Sequence, residues 1–172
     1  MTTKSRADVI ADTMKLTLDL TETAKMELRF LKNIHDRKIY YDPDVIKCAI
    51  YRYEECWLPL LRSNADLGLR KGPPLDVHWV WHVHMLSPTK YAEHCTGQHG
   101  AVFDHRLGAE ESAKEEWEGA YPEEPFHLSS RDVEGRRDIW GKHSSNISYD
   151  LLGAALRQKV FFYQVRNFTG ST

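Results

Sequence analysis

No run in this chain approaches the roughly 18 apolar residues that a membrane-crossing helix needs, and the first ten residues lack the apolar core of a secretory leader. Neither a membrane nor secretion is expected. Charge of one sign is equally scarce. Lys and Arg number 23 against 25 Asp and Glu, so net charge does not indicate nucleic acid as a partner. Cysteine is sparse and odd in number: Cys48, Cys56 and Cys95 form no C-x-x-C pair. That excludes a secreted disulfide framework and points to a reducing compartment, the cytoplasm by default with the nucleus left open. A glycine-rich phosphate loop, a G-x-S-x-G elbow, a cysteine-nucleophile signature, internal repeats and low-complexity runs are also missing.

Large aromatics, by contrast, are plentiful: five Trp and eight Tyr supply bulky side chains for one well-filled core. A length of 172 residues corresponds to one domain, able to bury its core without a disulfide or metal staple. The expected fold is mostly α. It is a compact multi-helix bundle, a single domain over 1–172 with its core in 6–95 and 146–166 and a long irregular, acidic insertion over about 96–145 before the last helix.

Helical spacing carries this expectation. Val9, Met14, Leu16, Leu20, Ala24, Leu28 and Leu31 recur along 6–34, with a fresh start allowed at Asp19 or Thr21 as N-cap. Asp42-Pro43 opens a second helix running to about Trp57, with Val45, Ile46, Ala49, Ile50 and Tyr53 as its stripe and Pro59 at its end; Leu58 to Leu61 can continue as a short apolar turn. Residues 63–74 read as loop. Glu110 to Glu118 reads as a short acidic helix carrying Trp117. Residues 96–145 as a whole are where an insertion or mobile flap belongs. Ser148 caps a strongly apolar final helix from Tyr149 to about Val165.

The chemistry-bearing stretch is Leu75 to Leu86, with His78, His82 and His84 set among Trp79, Trp81 and valines. As a strand it would turn all three histidines to one face; as a helix it is apolar nearly all round and central. The helix is favoured, because Pro74 suits a helix start and Ser87-Pro88 opens the next one. On a helix His78 and His82 share a face, whereas His84 is turned from His82 by roughly 200°, at about 100° per residue. Neutral imidazoles with a nearby carboxylate are the donors of transition-metal sites. The candidate ligands are therefore His78, His82, His84 and Asp76, for zinc or another divalent transition metal. His94, Cys95, His99 and His105 are secondary candidates. Trp79 follows the first histidine where a zincin helix has Glu, so a zincin-type peptidase is not expected. The weightier reading of the histidines is structural: buried, hydrogen-bonded core groups, with Trp79, Trp81, Tyr91 and Cys95 as the motif's packing residues. Asp76, ahead of a helix, is first an N-cap. Arg131, Arg136, Arg137 and Lys142 beside Trp140 form a small basic cluster, weakly suggestive of phosphate or RNA.

The run Pro73-Pro74-Leu75-Asp76-x-x-Trp79-x-Trp81-His82-x-His84-Met85-Leu86-x-Pro88-x-x-Tyr91-x-x-x-Cys95 resembles the hallmark of the glycine-rich domain-containing protein-like family. Glu27-Leu28-x-Phe30-Leu31 and Ala49-Ile50-Tyr51-Arg52-Tyr53-Glu54-x-x-Trp57-Leu58-Pro59-Leu60 are similar to its first two helices. Ser148-Tyr149-Asp150-Leu151 with Arg157-Gln158-x-x-Phe161-Phe162-Tyr163-Gln164-Val165 is similar to its last. The resemblance implies a helical domain without an agreed activity, joined in plant members to RNA-binding and glycine-rich segments. It also implies that His78 departs from an acidic residue common at that position. Residues and resemblance together lead to a non-enzymatic, protein-binding module with a buried His/Trp cluster able to hold a metal. The alternatives are a metal- or histidine-dependent enzyme of hydrolase type using the same cluster, and an RNA-associated module. Oligomeric state is not legible in the sequence.

Overall fold

The computed structural model describes residues 19–105 and 111–169. Helix α1 spans Leu20–Asp36, started by Asp19, whose carboxylate accepts from the backbone N–H groups of Thr21 and Glu22 at 3.0 and 3.1 Å. The earlier half of the expected helix, with Val9, Met14 and Leu16, lies outside the described residues. The buried face of α1 is not the expected one. Phe30 and Ile34 enter the core and Met26 and Leu31 flank them, while Leu20, Ala24 and Leu28 face solvent. Both stripes fit a 3.6-residue period, so periodicity alone cannot choose between them.

A 3-10 turn over Lys38–Tyr41 leads to α2, Pro43–Arg52, with Asp42 as N-cap and Pro43 at its first position. The helix does not stop at Trp57. It passes through a π-helical turn, Tyr53–Trp57, into α3, Leu58–Ser63. The Leu58 N–H reaches back five residues to the Tyr53 carbonyl. Pro59 has no N–H to offer, and the widened turn carries the chain past that missing bond without ending the helix.

The segment read as loop over 63–74 contains a short helix α4, Leu67–Arg70, and a two-residue strand β1, Lys71–Gly72. Strand β1 pairs in parallel with β2, Glu111–Ser112. Helix α5, Leu75–Met85, is buried on all sides, with Val77, Trp79, Val80, Trp81, Val83 and His84 out of water. It begins after Pro74, so Asp76 stands inside its first turn and is not the N-cap. Helix α6, Pro88–His99, follows Ser87, whose hydroxyl makes no capping bond, and ends on Gly100 at φ +80°.

The stretch before the last helix holds α7, Lys114–Ala120, α8, Ser130–Gly135, and α9, Arg137–Trp140, and it inserts Trp117, Phe126, Val133 and Trp140 into the core. These side chains anchor the irregular backbone. Trp117 Nε1 donates to the Glu124 carbonyl at 2.9 Å and Trp140 Nε1 to the Val133 carbonyl at 2.8 Å. Helix α10, Leu151–Thr169, is capped by Asp150 rather than Ser148: the Asp150 carboxylate accepts from the Gly153 N–H at 2.8 Å. Helices α2, α6 and α10 pack around α5.

At the centre Trp57 and Trp81 meet edge to face, ring centres 5.7 Å apart. Gly68 lies directly against Trp81. A Cβ at Gly68 would stand 2.8 Å from Trp81 Cη2 and 2.9 Å from the Asp104 carbonyl oxygen. Overfilling a packed site commonly costs about 1–3 kcal/mol, and Gly68→Ala should lose that much in urea unfolding monitored by Trp fluorescence. An unchanged midpoint would show that Trp81 has room to move.

Candidate functional site

Because α5 turns by about 100° per residue, its polar side chains leave in different directions and reach three separate environments. Asp76 meets α2: its Oδ2 is 3.0 Å from Arg52 Nε, and both side chains are almost fully buried. Burial pushes the Asp76 carboxyl up, while Arg52 and the N–H groups of α5's first turn hold it down. Arg52 also stands 3.8 Å from Glu124, donates to the Phe126 carbonyl at 3.4 Å and lies 4.9 Å above the Trp117 ring. Glu124 is paired with Arg136 as well. The cluster is a structural clamp with no open face.

His84 occupies the second environment, without solvent exposure. Its Nδ1 is 3.1 Å from the Tyr53 hydroxyl, Tyr91 packs edge-on at 5.1 Å, and the His94 ring is 5.6 Å away. Burial, then His94, pushes its pKa down to about 4. Its Nε2 has no partner among the described residues. The π-helical turn presents Tyr53 here, and the next residue, Glu54, turns elsewhere. Glu54 takes His143 Nε2 at 2.9 Å and the Asn146 N–H at 2.9 Å.

His78 and His82 form the third environment with α1. The Phe30 ring contacts both, at 4.4 and 5.3 Å, and His82 stacks on Trp79 at 5.8 Å. His82 Nε2 is 3.5 Å from Glu27 Oε1, and the His105 ring is 5.9 Å from that of His78. Burial pushes His78 down to about 3 and His82 to about 4, with His105 adding to both.

His78, His82, His84 and Asp76 therefore do not converge. Among the described residues, no group of three or more His, Cys, Asp or Glu side chains is arranged to hold a metal ion. Trp79, Trp81, Tyr91 and Cys95 are buried, and Trp81 Nε1 donates to the Tyr91 hydroxyl, which donates to the Phe103 carbonyl at 2.6 Å. Burial pushes the Cys48 and Cys56 thiols up to about 12 and raises Cys95 too, so none is a ready nucleophile. In the basic cluster, Arg136 is tied to Glu124 and Arg137 to Asp44 at 2.9 Å, with Trp140 buried. Two surface cavities, of about 500 and 700 Å³, are lined by residues such as Asp44, Arg137 and His143 or Lys38, Glu134 and Lys159, and hold none of the α5 candidates.

Arg52, Tyr53 and Glu54 enter the sequence reading only through the helix stripe and the family resemblance, not as site residues, and Glu124 and His143 do not enter it. Only Arg52 gave a signal, as a charge on the otherwise apolar side of α2; the rest depend on the π turn and on irregular backbone.

Compared with known proteins, the chain matches the family model described as glycine-rich domain-containing protein-like over residues 1–94 and 97–171. It is 35% identical to glycine-rich domain-containing protein 1 of Arabidopsis thaliana over 169 residues, covering 90% of the chain and 20% of that protein. It is 32% identical to glycine-rich domain-containing protein 2 of the same plant over 166 residues, covering 90% of the chain and 21% of that protein. The chain thus spans about a fifth of the length of these relatives. No solved structure matches. Among the described residues no helix is long and apolar enough to cross a membrane.

The buried histidines set a pH dependence. Folded, they stay neutral down to about 3–4; unfolded, each takes up a proton near 6.5. Between those values the unfolded chain binds more protons, so stability is full above about pH 6.5 and falls toward pH 4. Each histidine contributes up to about 1.4 kcal/mol per pH unit. Urea unfolding in EDTA at pH 7, 6 and 5 should show this slope, shallower by one histidine's share in His84→Asn. A flat profile would mean that the imidazoles are already charged or hydrated in the folded state.

Proposed function

The chain belongs to the glycine-rich domain-containing protein-like family, and from that premise we propose that it is a non-enzymatic interaction module. Its docking face is the outer side of α1 and α10, and its partner is an apolar protein segment carrying acidic residues. The observation that carries this reading is a set of exposed apolar side chains on two helices that touch. Leu20 and Leu28 on α1 and Val160 and Phe161 on α10 are each more than half exposed, and Tyr163 is 44% exposed. The two helices meet where His35 stacks on Phe162, ring centres 4.9 Å apart. Single exposed apolar residues are ordinary, but several on adjoining helices mark a contact surface. The acidic character of the partner is inferred from α10, which contains Arg157 and Lys159 and no Asp or Glu.

One observation favours the rival, a histidine-dependent enzyme: His84 has Tyr53 on one ring nitrogen and nothing on the other. A general base needs a reachable substrate, and His84 has no exposure. The interaction reading is therefore the better supported.

A photocrosslinking amino acid at position 161, with one at Glu118 as control, tests it. The expected product is a defined partner captured only from 161. Once purified, that partner should bind the chain, and bind Phe161→Asp more weakly by on the order of tenfold or more, with no change in Tm. Crosslinks into residues 1–18 of the same chain, into a second copy or into lipid would overturn the reading, as would equal affinity for Phe161→Asp.

A further inference from the structure

Two neighbouring imidazole rings beside α5 each carry an unpartnered nitrogen. The Nε2 atoms of His78 and His105 are both shielded from water and have no hydrogen-bond partner. Their rings are 5.9 Å apart and nearly perpendicular, at 80°. A buried polar atom without a partner calls for an explanation, and a bound ion or water is one that suits a pair of imidazoles. Two imidazoles on one ion, with metal–nitrogen bonds of about 2.0–2.1 Å, have ring centres about 5–6 Å apart. His78 and His105 already have that spacing.

One helical turn further along α5, His82 Nε2 lies 3.5 Å from Glu27 Oε1. This is long for a charge-assisted hydrogen bond, which runs to about 2.7–2.9 Å. It is close to the roughly 3.3 Å that separates two donors on a tetrahedral ion of zinc's size. The two pairs adjoin, because His78 and His82 share one face of α5, both against Phe30, and His82 is within electrostatic reach of His105.

We propose that His78, His82, His105 and Glu27 form a site for one divalent transition-metal ion. Three imidazoles and one carboxylate suit zinc or cobalt, whereas calcium and magnesium take oxygen donors. No three of these donors are arranged to hold an ion as they stand. Occupancy therefore turns the His105 ring and the Glu27 carboxylate inward, toward the two histidines that the backbone of α5 holds in place. The inference does not depend on the partner reading above.

A second histidine row, His84, His94 and His99, has comparable ring spacings of 5.6 and 5.8 Å. It differs in having a Tyr53 hydroxyl on His84 Nδ1, and it supplies the control. The untagged full chain, freed of metal with chelator and dialysed, is titrated with Co²⁺ and then Zn²⁺ by calorimetry and visible absorbance. The expected result is about one Co²⁺ per chain with the intense bands of a four-coordinate ion, displaced by Zn²⁺. His105→Ala, outside the helical core, should weaken binding by on the order of tenfold or more, while His94→Ala leaves it unchanged. Absence of saturable binding overturns the proposal, and so does binding that survives His105→Ala or is lost in His94→Ala.

Discussion

Arg52 and Asp76 face each other at 3.0 Å with almost no access to water. Taking two charges out of solvent costs several kcal/mol each, recovered only when the geometry is close and the remaining polar atoms are met. The elements near the pair meet that condition in part: Arg52 Nη2 donates to the Phe126 carbonyl, while Arg52 Nη1 has no hydrogen-bond partner among the described residues. Helix α2 provides the guanidinium and the first turn of α5 the carboxylate. The irregular stretch adds Glu124, the Phe126 carbonyl and the Trp117 ring. A single buried ion pair thus dictates how α2, α5 and residues 111–145 must sit together, and it explains why a segment of little regular structure is nonetheless well anchored.

Around that clamp, α5 sorts its remaining polar groups by direction. An apolar helix surrounded by others cannot hide an imidazole without giving it a partner or keeping it neutral. His84 is met by Tyr53 from α2's π turn, and His82 by Glu27 from α1. The outward sides of α1 and α10 are left with Leu28, Val160 and Phe161 uncovered. Polar groups inside and apolar groups outside are two departures from ordinary burial in this domain, the first on α2, its π turn and α5, the second on α1 and α10.

The central helix was legible from its neighbours: the run from Leu75 to Leu86 fits a strand or a fully buried helix, and Pro74 before it and Ser87-Pro88 after it favour the helix. The divergence of His84 from His82 is a direct consequence. Asp42-Pro43 and Asp19 were legible as caps for the same local reason: a side-chain oxygen before unpaired N–H groups. Other features were not legible. Leu20, Ala24 and Leu28 keep helical spacing as well as Met26, Phe30 and Ile34 do, and only the position of neighbouring helices decides which set is covered. Asp76 looked like a cap because its true partner, Arg52, is distant in sequence. Glu124 and His143 carried no periodic signal, since their roles are fixed by loop backbone. The resemblance to the family, drawn from the Trp-His motif and its flanking helices, holds across nearly the whole chain.

The π-helical turn at Tyr53–Trp57 amounts to one residue more than an α-helix would use over the same rise. Each added residue rotates the downstream part of the helix by about 100°, so the turn acts as a phase shifter within a continuous rod. Upstream of it, Arg52 is aimed at Asp76. Within and beyond it, Tyr53 meets His84, Glu54 meets His143, and Trp57 and Leu61 enter the core. A chain of this family shorter by one residue at that point could keep every motif recognisable and still aim these groups at different neighbours. The length of this helix is therefore as much a determinant of the interior as the identity of the residues in it.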